Sequence, residues 1–206
     1  MIEDIVPPTA TVLFVLESPH NEELQHGYPA SGDSGREMSR VILRRTDIPL
    51  SLVVKCPCIS NCLNIPNMSH VGIMNVSDFP LQECCYSGQF TELRPPNMQA
   101  LKYVRDDLQK KRRKIKKFFE NQEYELAQNE IFQSFKKRLA YIINRNNIVK
   151  IVPCGHFATY FVYWYKLTTQ HMTTITILDD IPHPSGTAGG WKKLRKETIE
   201  SLQALS

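Results

Sequence analysis

At 206 residues, 42% of them hydrophobic, the chain is long enough to bury one α/β core and too short for two sizeable ones. No stretch approaches the roughly 18 continuous apolar residues of a membrane span, and no signal-peptide pattern precedes the first strand-like segment, so a cytoplasmic protein is expected. The net charge of +4 is too small to argue for nucleic acid by itself, and six cysteines without a secretory signal read as free thiols or metal ligands rather than disulfides.

In chain order, residues 9–16 form a short apolar, β-rich run without polar alternation at its end, the pattern of a parallel strand buried on both faces. Turn chemistry follows through residues 18–35, where Pro19, Gly27, Pro29, Gly32 and Gly35 interrupt any regular element. Ser34 with Glu37 three residues on makes a capping box for a helix that buries Met38, Val41 and Ile42. Pro49, Pro57 and Pro66 break up residues 47–70, which read as an irregular insertion with a strand candidate at Leu52, Val53 and Val54.

Residues 71–76 read as a second buried strand. Asn97 is placed to cap a long helix in which Leu101, Val104, Leu108, Ile115 and Phe118 recur at helical spacing. That helix carries seven cations within residues 110–117, Lys110 and Arg113 among them, which read either as a solvated face or as phosphate contacts with salt-dependent affinity. A further amphipathic helix turns Phe132, Phe135, Leu139 and Ile142 inward. Residues 148–152 and 174–178 supply two more strands with a helix from Gly155 between them, and a last helix of about residues 190–205 places Trp191, Leu194, Ile199 and Leu202 on one side.

This alternation predicts one domain over residues 1–206, a central parallel sheet flanked by helices. Ligands of such sheets bind beyond the carboxyl ends of the strands, so the segments after Leu16, Met74, Val152 and Leu178 are the place to search.

Three of those ends carry unusual residues. Glu17, Ser18, Pro19 and His20 lead into Asn21, Glu22, Glu23 and a glycine-rich loop holding Tyr28, Ser31 and Gly32; Asn75 ends the second strand; His183 sits between Pro182 and Pro184, ahead of Ser185, Gly186 and Thr187. The first segment resembles motif one of the uracil-DNA glycosylase superfamily, above all the thermophile-type branch, whose Gly-Glu-Ala-Pro-Gly precedes acidic residues and a glycine-rich loop. The likeness runs in register over about nineteen positions. His183, Pro184 and Ser185 resemble the second motif, Asn75 falls where the family's base-reading asparagine stands, and Gly155 where it has the glycine opening the helix after the third strand.

The resemblance implies a three-layer uracil-DNA glycosylase-like sandwich and hydrolysis of an N-glycosidic bond in DNA, leaving an abasic site. That reaction builds positive charge on the sugar and negative charge on the departing base, and so needs a carboxylate near one and a donor at the other. By resemblance Glu17 activates water and steadies the sugar cation, His183 donates to the pyrimidine O2, and Asn75 reads the pairing edge of the flipped base. Ser31, Gly32, Ser185 and Gly186 become candidate grips on flanking phosphates, and Ser18, Pro19, His20, Tyr28 and Thr187 the remaining pocket and DNA contacts. DNA is the implied partner of a monomer, with no cofactor.

The chain also departs from the family. The thermophile-type branch holds an iron–sulfur cluster through four cysteines, two ahead of its first motif, whereas the first cysteine here is Cys56. Cys56, Cys58 and Cys62, with His70 or Cys84 and Cys85, are alternatives for zinc, although their spacing is not that of a zinc finger. His20 replaces a tyrosine of the best-known branch that excludes 5-substituted pyrimidines, and Ser18 stands where that branch has its water-activating aspartate. Trp191 is either a wedge filling the vacated base stack or a core residue. The changed doorway points the expected substrate toward bulky modified cytosines, such as the glucosylated hydroxymethylcytosine of phage DNA excised in antiviral defence. Uracil repair, a silent DNA-binding module, and a thiol hydrolase built on Cys154 and His156 are the alternatives.

Overall fold

The computed structural model describes residues 2–110, 119, 121–169, 172–184 and 190–205. Among them four strands form one all-parallel sheet: β1 (Val12–Leu16), β2 (Val71–Asn75), β3 (Lys150–Pro153) and β4 (Thr176–Ile177), in the order β2-β1-β3-β4. The chain steps outward from β1 to β2 and then returns past β1 to β3. The switch point, where ligands of such sheets bind, is therefore at the carboxyl ends of β1 and β3.

Every residue of β1 is buried, and its side chains alternate between two cores. Leu13 and Val15 join Leu101, Val104, Phe135, Phe157 and Phe161 on one side, beneath helices α5 (Met98–Lys110), α6 (Gln122–Arg145) and α7 (His156–Thr168). Val12, Phe14 and Leu16 join Met38, Val41, Val53 and Trp191 on the other, beneath α2 (Asp33–Ile42), α3 (Leu50–Lys55) and α8 (Lys196–Gln203). A strand covered on both faces can be apolar throughout, which is why β1 shows no polar alternation.

Several elements differ from expectation. The segment at residues 47–70 is helical: α3 begins behind Pro49, and α4 (Cys58–Leu63) begins behind Pro57. Proline is tolerated at a helix start because the missing N–H has no intrahelical partner there. Leu50, Val53 and Val54 then share one buried face at helical spacing, so packing overrides the β preference of two valines. The loop after β1 contains α1 (Asn21–His26), closed by Gly27 at φ 78°. Helix α2 starts at Asp33, behind Gly32 rather than Ser34, and Glu37 pairs with Arg40 at 2.7 Å instead of completing a capping box. Asn97 does stand directly before α5, its carbonyl accepting from Leu101 N–H at 3.1 Å, while its side-chain amide donates to Glu130 at 2.9 Å. Ile115 and Phe118 lie outside the described residues. No described helix is long and apolar enough to cross a membrane.

Candidate active site

Glu17 is the first residue beyond β1 and is only 5% exposed. Arg105 Nε–H donates to its Oε1 and the Gln109 amide to its Oε2, so two residues one turn apart on α5 hold both carboxylate oxygens. Neither was singled out from the sequence. The available signal was a polar pair four residues apart on the border of the apolar stripe Leu101, Val104 and Leu108.

Asn75 ends β2 directly opposite Leu16, and the backbone N–H of Ser77 donates to Glu17 O at 3.0 Å, so these two strand ends lie side by side. The Asn75 side chain is 1% exposed, yet neither its Oδ1 nor its Nδ2 has a hydrogen-bond partner. The hydroxyls of Ser18 and Ser31, also buried, are equally unpaired. A buried amide left without partners costs about 1–3 kcal/mol. Asn75 and Ser18, both unpaired beyond or at the ends of neighbouring strands, mark a place where a polar ligand would satisfy them.

His183 approaches from the far side of β3. Cys154 bridges Ile181 in parallel register, the Gly155 N–H donates to Ile181 O at 2.8 Å, and Trp191 Nε1–H donates to Pro182 O at 2.7 Å. A β-carbon on Gly155 would lie 3.2 Å from His183 Cβ, and one on Gly190 would lie 2.4 Å from His183 O, so both glycines permit the close approach of this loop. Gly155 also holds φ 91°, where side chains are strained. Burial pushes the His183 imidazole below its ordinary range; the Glu17 carboxylate opposes this, and Arg105 and His20 reinforce it. The sign is that of a neutral histidine, able to donate one N–H.

In the first loop Pro19 is buried and His20 exposed, with His20 Nδ1 4.0 Å from Cys85 Sγ. Burial and Arg105 lower the His20 pKa, while Glu17, Gln82 and Glu22 raise it. Glu23, 7% exposed, accepts from the backbone N–H groups of His20 (2.7 Å) and Ala30, which tie the loop into one unit. Gly32 is buried, and a β-carbon there would fall 1.8 Å from Glu22 Oε2. Tyr28 is half-buried at the rim under the Lys55 ammonium, 4.2 Å from its ring centre.

Cys154 is fully buried with its thiol pushed far up by desolvation, and His156 is exposed, so the pair proposed from the sequence is not activated. Burial also pushes the Cys85 thiol up, to about 12. Among the described residues no three His, Cys, Asp or Glu side chains converge as a metal site, and Cys58 and Cys62 are exposed. Trp191 is wholly buried, 6.4 Å from the Phe14 ring, which makes it a core residue. Lys110 is exposed at the end of α5, one residue beyond Gln109, so the basic run starts next to the Glu17 cluster. Arg113, Ser185, Gly186 and Thr187 lie outside the described residues.

Fold and site together define an α/β protein with a four-stranded parallel sheet and buried, partly unsatisfied polar side chains near the carboxyl ends of its strands. No protein-family model matches the chain, and no curated protein matches it at a significant level.

Proposed function

We propose that the protein is a monofunctional DNA glycosylase of the uracil-DNA glycosylase type, hydrolysing the N-glycosidic bond of a flipped, non-standard pyrimidine. The observation that carries this reading is Asn75: a buried amide with both polar atoms unpaired, one strand away from a buried carboxylate. An amide offering one acceptor and a donor group matches the pairing edge of a pyrimidine, which also has both.

Each oxygen of Glu17 accepts one hydrogen bond and keeps a second lone pair. The carboxylate therefore still holds a water or faces an oxocarbenium-like sugar while Arg105 and Gln109 keep it in place. His183 donates its N–H to O2 of the departing base, where negative charge grows. The hydroxyls of Ser18 and Ser31 satisfy themselves on the flanking nucleotide, and Lys110, exposed one residue beyond Gln109, is a cation for a phosphate. His20, exposed beside Cys85, leaves the doorway without a tyrosine ring and extends the proposal to modified cytosines of phage DNA, with antiviral defence as the role.

Incubation with ordinary, uracil-containing and hypermodified phage DNA, followed by mass spectrometry of released bases, tests this. A released pyrimidine that disappears with Glu17→Ala or Asn75→Ala, in folded variants, supports it. Binding to DNA without release of any base returns the protein to the class of silent binding modules.

A further inference from the structure

We propose that a cleft between the amino-terminal segment and α6 binds a nucleoside 5′-monophosphate whose base carries an amino group. The cleft is lined by none of Glu17, Asn75 and His183, and the proposal does not depend on the glycosylase reading.

The cleft has a volume of about 510 Å³, within the size range of small-molecule sites. It lies between Asp4 and Val6, the turn after β2 at Asp78, and the second half of α6. Arg138 fixes one wall. Its Nη1 donates to both oxygens of Asp4, at 2.9 and 2.8 Å, and its Nη2 to Val76 O at 2.5 Å. Ile5 bridges Ile73 in antiparallel register and holds the same segment against β2. The amino-terminal segment, the end of β2 and α6 are thus tied together before any ligand arrives, which lowers the ordering cost of binding.

Helix α6 supplies Lys137, Tyr141 and Arg145, four residues apart and so on one face, each about 6 Å beyond the last along the axis. Tyr141 is 62% exposed, and Arg145 Nη1 donates to its hydroxyl at 2.9 Å. An open phenol ring takes a flat aromatic partner by stacking, and here a cation stands one turn to either side of it. Asp4 is spent on Arg138, whereas neither Lys137 nor Arg145 forms an ion pair among the described residues. These two cations therefore remain for a phosphate. Val6 and the buried Ile142 offer apolar surface to the sugar.

Asp78 sets the kind of base. Its carboxylate also forms no ion pair among the described residues, and it accepts hydrogen bonds without donating them. The amino group of a cytosine or adenine satisfies it. An oxo group at the same place sets acceptor against acceptor. Inorganic phosphate alone leaves both Tyr141 and Asp78 unused.

The test titrates the full chain with deoxycytidine 5′-monophosphate, thymidine 5′-monophosphate, deoxycytidine and inorganic phosphate by calorimetry, with backbone amide spectra to locate each ligand. The cytidine nucleotide should bind about tenfold more tightly than the other three, the scale of one charge-assisted hydrogen bond, and should move the signals of Ser134, Tyr141 and Asn146. Lys137→Ala, Arg145→Ala and Tyr141→Ala truncate exposed side chains and should each weaken binding by about tenfold. Asp78→Ala should erase the preference over the thymidine nucleotide, and Asn75→Ala should bind as the wild type does. Equal affinity for phosphate, untouched by Tyr141→Ala, reduces the cleft to an adventitious anion site and overturns the proposal. Binding that survives the cleft variants but is lost in Asn75→Ala overturns it too, by placing the nucleotide at the strand ends. Absence of binding at millimolar nucleotide overturns it outright. None of these outcomes bears on base release from DNA, so the glycosylase reading stands or falls separately.

Discussion

Arg105 on α5 donates through Nε–H to Oε1 of Glu17 at the end of β1, a contact between a guanidinium 18% exposed and a carboxylate 6% exposed. The two residues are 88 positions apart, and the sheet and α5 hold them together. Removing one partner of such a pair strands a buried charge, at a cost of about 3–5 kcal/mol. Arg105→Ala should therefore unfold at markedly lower denaturant than the wild type. Arg105→Lys should recover part of the stability but lose activity on DNA, because a lysine ammonium does not reproduce the planar, directed N–H donor. Equal activity in the lysine variant would show that Arg105 only balances charge.

Removing Glu17 itself separates chemistry from binding. Glu17→Gln keeps the shape and can still accept from Arg105, while losing the charge proposed to face the sugar cation. Base release should fall by about 10²–10⁴, the usual range for a positioned acid or base, with the affinity for DNA nearly unchanged. A loss of affinity that matches the loss of rate would place Glu17 in DNA binding instead.

His183 yields a prediction about pH. Its folded-state pKa lies below the ordinary histidine value, chiefly through burial. Protonation on acidification is therefore delayed in the folded protein, and the stability this residue contributes is present above the ordinary histidine pKa and lost as pH falls below it. Arg105 and His20 add to the depression, and Glu17 counters it. His20→Asn should consequently move the acid limb of the pH–rate profile upward, and Glu17→Gln should move it downward. Shifts in the opposite directions would exclude His183 as the group that must stay neutral.

The sequence was most legible where backbone geometry and chemistry coincide. The buried strands β1 and β2 could be picked out because a doubly covered strand has a local signature, and the structure sets Glu17 and Asn75 at the ends of these neighbouring strands. Arg105 and Gln109 showed only a polar pair at the border of an apolar stripe, since what makes them part of the site is the docking of α5 against a strand end far away in the chain. Helices α3 and α4 were hidden by prolines that read as breaks but stand at helix starts. The cap at Ser34 was misplaced for a tertiary reason: Glu37 is drawn to Arg40, whose guanidinium also donates to Trp191 O at 3.3 Å.

Trp191 separates packing from DNA contact, because the residue holds Pro182 O through its indole N–H and fills the core beside Phe14. Trp191→Ala should cost about 3–5 kcal/mol in equilibrium unfolding, the range for emptying a large aromatic site. Trp191→Phe should cost much less in stability, yet it frees Pro182 and so loosens the adjacent His183. The expected signature is a reduced kcat with KM little changed. A wedge would behave in the reverse manner, with stability untouched by either change and affinity for damaged duplex lost.

Gly155 extends the same logic to the backbone. Its φ of 91° with ψ 164° is a region adopted almost only by glycine and costs a side chain about 1–3 kcal/mol, and a β-carbon would press on His183 Cβ at 3.2 Å. Gly155→Ala should thus lower stability by about that amount, readable as a shifted urea midpoint at constant slope. Because the strain lies directly beneath His183, the loss of rate should exceed what the small loss of folded protein explains. Gly88, which also has positive φ but no heavy atom within 4 Å of a built β-carbon, is the control. Gly88→Ala should show the backbone cost alone, with catalysis intact. If the two alanine variants lose rate equally, the approach of Gly155 to His183 has no part in the chemistry.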